Sequence, residues 1–94
     1  VTGLEMIAAE RKRQIEVEGW TPEHDAEHVF GEMTLAAICY AEDAKLNDYC
    51  PSAPQKWPWA REWWKPASPI RMLVKAGALL AAEIDRRLAC GEMP

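Results

Sequence analysis

Four of the five tryptophans in this 94-residue chain (Trp57, Trp59, Trp63 and Trp64) fall within eight residues. They lie in a stretch from Pro51 to Pro69 that also holds five of the seven prolines. Proline lacks the backbone donor that helices and central strands need, so regular structure fails from residue 47 to residue 69. A proline-rich linker is normally poor in aromatics, so this segment is not one. A loop this long in a small domain is usually functional or disordered, and its aromatic content predicts an ordered loop. The fold must therefore be a helical frame that carries one large aromatic loop.

The flanking segments supply that frame. Residues 3–18 place Leu4, Ile7, the Arg11 stem and Ile15 at helical spacing and end at Gly19. Thr21-Pro22-Glu23 reads as a helix start, with a Thr cap, proline at the first position and an acid in the first turn. From Pro22 to about Leu46 the chain is either one helix broken near Gly31 or a short helix followed by a longer one. Its apolar stripe is Phe30, Met33, Ala37 and Tyr40, widened by Leu35, Ile38 and Cys39. Ser68-Pro69 opens a last helix to about Leu88, with Ile70, Leu73, Val74, Leu80, Ala81, Ile84 and Leu88 recurring at helical spacing. Gly77 lies on that stripe and predicts close approach of a neighbouring helix or tryptophan. The expectation is an all-α single domain over 1–94, of three to four helices, with the Trp/Pro-rich loop between the last two.

An apolar share of 49% and a charged share of 28% are those of a globular chain and exclude global disorder. The longest apolar stretch, Ala76 to Ala82, is too short to cross a bilayer, and no basic leader followed by an apolar run is visible. Cys39, Cys50 and Cys90 are odd in number, widely spaced and without a CxxC pair. They read as reduced thiols, Cys39 in the core and the other two near loops, in a cytoplasmic setting. The net charge of −4 argues against non-specific DNA binding, yet residues 1–48 hold 11 acids and four bases while residues 49–94 hold seven bases and four acids. The bases Lys56, Arg61, Lys65, Arg71 and Lys75 cluster in and just after the tryptophan loop.

Three groups of residues could carry chemistry. His24 and His28 are one helical turn apart and Glu32 could extend the row, a spacing that can hold zinc. The zincin pattern, however, needs Glu where Asp25 stands, and no third ligand is evident, so no metal is assigned. The other readings of His24, Asp25 and His28 are braces for the neighbouring loop or ligand contacts. Trp57, Trp59, Trp63 and Trp64 could fill core volume, or could stack on a flat ring while Lys65, Arg61, Arg71 or Lys75 meets phosphates. Arg71 and Lys75, four apart near a helix N-terminus, suit an anion or simply a solvated surface. Carboxylates such as Glu23, Glu27 and Glu32 could assemble magnesium sites, but the ExxE and ExxD pairs of all-α nucleoside-triphosphate pyrophosphohydrolases are missing.

The segments ERKRQIEVEGWTPEHDAEH, WPW, WWKP and LVKAGALLAAEIDR resemble, over nearly the whole chain, a family of small uncharacterised bacteriophage and prophage proteins. That resemblance implies a phage accessory protein in the cytoplasm of an infected bacterium and supplies no reaction. A fainter similarity to the ryanodine-receptor repeat rests on Gly19-Trp20-Thr21, Pro58-Trp59 and the helix from Pro69. It implies a small-ligand or protein-docking unit, although the repeat's His-Pro step is missing. The favoured expectation is a non-enzymatic nucleotide-binding protein that sequesters a nucleotide immune messenger without a cofactor. In it Trp20, His24, Asp25, His28, Trp57, Trp59, Trp63, Trp64, Lys65, Arg71 and Lys75 contact the ligand. The alternatives are a metal-dependent nucleotide hydrolase and a module that docks on a host protein through the tryptophan loop. No membrane and no sequence-specific nucleic acid are expected as partners, and a homo-oligomer is open.

Overall fold

The computed structural model describes residues 1–46 and 52–94, and four α-helices form the frame: α1 (Gly3–Glu16), α2 (Pro22–Asp25), α3 (Glu32–Leu46) and α4 (Pro69–Ala89). Among the described residues there is no strand, and a single 3₁₀ turn, Arg61–Trp63, interrupts the loop before α4. Cys50 lies outside the described residues. No helix is long and apolar enough to cross a membrane, among the residues described.

The helix boundaries follow from local chemistry. Thr2 and Glu5 close a reciprocal capping box on α1: the Glu5 amide donates to Thr2 Oγ1 at 3.1 Å and the Thr2 amide to Glu5 Oε1 at 3.0 Å. Thr21 and Ser68 cap α2 and α4 with proline at the first helical position of each, as their sequences predict. Between α2 and α3 the second of the two sequence alternatives holds: a four-residue helix, then a longer one. The chain turns at Gly31, whose φ of +80° lies in the left-handed region that a side chain disfavours.

Helix α4 is the central element and touches the other three. Its buried side is made of Met72, Ala76, Leu79 and Ala82, packed with Met33, Ala36, Ala37, Cys39 and Tyr40 of α3. The small residues bring the two helices together, and Trp57 and Trp64 from the loop supply the bulk. Gly77 serves α1: a Cβ there would lie 2.6 Å from Ile7 Cδ1, so Ile7 rests on bare helix backbone.

Three apolar stripes differ from their sequence reading. On α1, Leu4 is exposed and the buried positions are the polar Glu10 and Gln14. Arg13 and Arg71 meet the Glu10 carboxylate at 2.9 and 2.7 Å, so charge pairing is buried beside the predicted apolar stripe. On α3 the stripe holds at Met33, Ala37, Cys39 and Tyr40, but Phe30 is 89% exposed because the chain is still in the Gly31 turn, and Ile38 faces outward. On α4, Val74 is buried, whereas Ile70, Leu73, Leu80, Ile84 and Leu88 are all exposed, because α1 and α3 cover the other sides of that helix.

A candidate ligand pocket

The aromatic loop is held against α3 and α4 by bonds to its own carbonyls. Trp57 Nε1 donates to the Ala60 carbonyl at 3.1 Å and Arg61 Nη1 to the Ala53 carbonyl at 2.7 Å. Lys75 Nζ donates to the Lys65 carbonyl at 2.7 Å while standing 5.6 Å from the Tyr40 ring centre. The Lys65 amide donates to Tyr40 Oη at 3.2 Å. Tyr40 stacks on Trp64 with ring centres 4.8 Å apart and meets Trp57 edge-on at 5.4 Å. Burial pushes the Tyr40 hydroxyl up to about 12 and the Lys75 ammonium down from its ordinary value.

The tryptophans thus divide into two sets. Trp57 and Trp64 are buried core. Trp20, Trp59 and Trp63 line a pocket of about 320 Å³ formed by α1, α2 and the loop with Met33 of α3 and Leu79 and Ala82 of α4. Trp59 joins the sets: its ring centre lies 5.9 Å from Trp20, 5.3 Å from His28 and 5.5 Å from Trp57. His24 and His28 stand edge-to-face at 5.0 Å on the same wall. Asp25 is buried beneath them, accepting from Arg11 Nη2 at 2.7 Å, and Arg11 Nη1 donates to the Trp20 carbonyl at 3.1 Å. One guanidinium therefore ties α1 to α2 and fixes the pocket's floor.

Six of the sequence-predicted residues meet here: Trp20, His24, Asp25, His28, Trp59 and Trp63. Lys65 and Lys75 line a smaller cleft that shares Trp20 and Trp63 with the pocket, whereas Trp57, Trp64 and Arg71 line neither. Arg71 is held by Glu10. Sequence reasoning missed Arg11 and Gln14 as pocket residues. Both lie on α1 at the i, i+3 spacing that puts side chains on one face, the only sequence signal that could have found them.

Three buried side-chain polar atoms among the described residues lack a hydrogen-bond partner: Arg11 Nε, Gln14 Oε1 and Trp59 Nε1. All three residues line the pocket. Each such atom costs about 1–3 kcal/mol when left unpaired. Among the described residues no group of three His, Cys, Asp or Glu side chains could hold a metal ion. His24 Nδ1 lies 3.6 Å from Asp25 Oδ1 and His28 Nδ1 lies 3.4 Å from Glu32 Oε2, so each ring is turned to a separate carboxylate.

Three carboxylates give the fold an acid limit. Burial alone would push Glu10 up, but the hydrogen bonds and charges of Arg13 and Arg71 outweigh it and hold Glu10 below the usual range. Arg86 and Arg87 hold Glu83 down against its burial. Burial likewise raises Glu32, and bonds from its own and the Phe30 amide, with His28, bring it below its ordinary value. A carboxyl with a depressed folded-state pKa stabilises the fold fully above its unfolded value and loses that contribution as pH falls through the folded one. Urea midpoints are therefore expected to fall below the ordinary glutamate range, and to fall less steeply for Glu10→Gln.

Comparison with protein-family models, curated proteins and solved structures finds no match to this chain. Geometry alone has to carry the functional reading.

Proposed function

We propose that this protein binds a nucleotide-like small molecule without transforming it. The flat heterocycle enters the pocket among Trp20, Trp59 and Trp63, and the phosphate side extends past Trp63 towards Lys65 and Lys75. The observation that carries this reading is the set of three orphaned polar atoms on an aromatic-walled pocket. Two are donors and one is an acceptor. A ring that presents one acceptor and one donor satisfies Trp59 Nε1 and Gln14 Oε1 once those side chains turn towards it, while Trp20 and Trp63 stack on its faces. The smaller cleft adds a net positive charge, with Arg13, Lys65 and Lys75 against Glu10 and Glu18. That balance suits a phosphate monoester or diester better than a triphosphate.

The two alternatives have less support. A hydrolase needs carboxylates gathered on a metal, whereas Asp25 is bound by Arg11 and Glu32 lies beside His28. Docking through the loop needs exposed indoles, whereas Trp57 and Trp64 are core and only Trp63, 42% exposed, projects. In an infected bacterium, the setting that the phage-protein resemblance implies, binding without turnover would sequester a nucleotide messenger.

The test is tryptophan fluorescence during titration with adenosine and guanosine monophosphates, cyclic dinucleotides and ADP-ribose, with and without magnesium. Saturable quenching at micromolar ligand is expected, with the nucleotide recovered intact by chromatography. Trp63→Ala, at a ring outside the buried core cluster, should weaken binding at least tenfold. Flat titrations with every nucleotide would sink the proposal, and product formation would replace it with the hydrolase.

A further inference from the structure

Helix α4 has an apolar side that the other helices leave largely uncovered, α1 reaching it where Ile7 rests on Gly77. At 100° per residue, Ile70, Leu73, Leu80, Ile84 and Leu88 fall within roughly 80° of arc. Between 44% and 63% of each is exposed. The other residue in that arc is Gly77, so no charge interrupts the strip from one end of the helix to the other. A monomeric protein seldom leaves an unbroken leucine and isoleucine row of this length in water.

We infer that this strip is the interface between two copies of the chain, packed α4 against α4 about a two-fold axis. A two-fold interface requires a surface that complements itself. The strip does so when reversed: with two α4 helices antiparallel, Leu73 comes opposite Ile84, Gly77 opposite Leu80, and Ile70 opposite Leu88. Large residues thus meet large ones at the ends, and Leu80 of each copy meets the Ile7 side chain that rests on Gly77 of the other. The three- and four-residue intervals, alternating from Ile70 to Ile84, are those of an interhelical seam.

The area agrees. Scaled by their exposures, the five side chains offer roughly 500 Å² per copy, so their complete occlusion in a pair would bury about 1,000 Å², the least that a specific interface needs. The pocket takes Leu79 and Ala82 from another side of α4 and uses none of the five strip residues, so pairing leaves it open.

Sedimentation equilibrium from low micromolar to several hundred micromolar protein tests the inference. The expected mass at the upper end is twice the 10.6 kDa of the chain. The double variant Leu80→Glu with Ile84→Glu should sediment as a monomer throughout, with unchanged far-ultraviolet circular dichroism, because both side chains already face solvent. Phe30→Ser, exposed but off the strip, should still dimerise. A wild-type chain that stays monomeric over the whole range, or a folded double variant that keeps the dimer mass, would overturn it.

Discussion

Replacing Trp64 by alanine is expected to cost about 3–5 kcal/mol, as for other large aromatic truncations in a core. A domain of this size has roughly 5–15 kcal/mol in all, so the variant should be close to unfolding at room temperature. The ring is 5% exposed, stacks on Tyr40 and meets Trp57 edge-on at 5.1 Å. With it gone, small residues such as Ala36, Ala37 and Ala76 have nothing of comparable size to close on. Trp63→Ala should cost under about 1 kcal/mol, in line with an exposed site. Urea unfolding followed by circular dichroism separates the two. Equal losses would show that the division into core and wall tryptophans is wrong.

The second large effect is expected at Asp25. Removing one partner of a buried ion pair leaves an uncompensated charge, at about 3–5 kcal/mol. Asp25→Ala should fall at the low end, near 3 kcal/mol, since the pocket beside Arg11 admits water. Arg11 has a second bond, to the Trp20 carbonyl, but its Nε already has none. The variant should therefore lose nucleotide quenching before it loses its helices, because α2 is no longer tied to α1. Asp25→Asn keeps an acceptor oxygen and should lose about half as much. If Asp25→Ala proved neutral in urea unfolding, the Arg11 tie would not be what positions the pocket.

Helix boundaries were legible because they rest on local chemistry. Thr21-Pro22 and Ser68-Pro69 cap and start helices wherever they occur, and Gly31 turns the chain in any context. Which side of a helix is buried was less legible. On α4 the large aliphatic residues give the strongest periodicity, yet the core side is alanine, methionine and one leucine, because tryptophans from the loop supply the volume. On α1 the reverse applies: Glu10 and Gln14 lie outside the predicted stripe and are buried, since Arg71, 61 residues away, answers Glu10. Neither arrangement has a local signature. The pocket was half legible: Trp20, His24, Asp25 and His28 are close in sequence, and Trp59 and Trp63 stand out by type. Arg11 was visible only as a helix-face residue.

The loop carries one more consequence, for which substitutions it tolerates. Four of its fastenings end on main-chain oxygens: Trp57 and the Trp63 amide on Ala60, Arg61 on Ala53, Lys75 on Lys65. Every residue brings a carbonyl, so identity at positions 53, 60 and 65 is released from holding the loop in place. Drift at positions 60 and 65 can retune the pocket and the cleft beside it while the donors keep the path of the chain. Such a loop can change what it recognises faster than it changes shape.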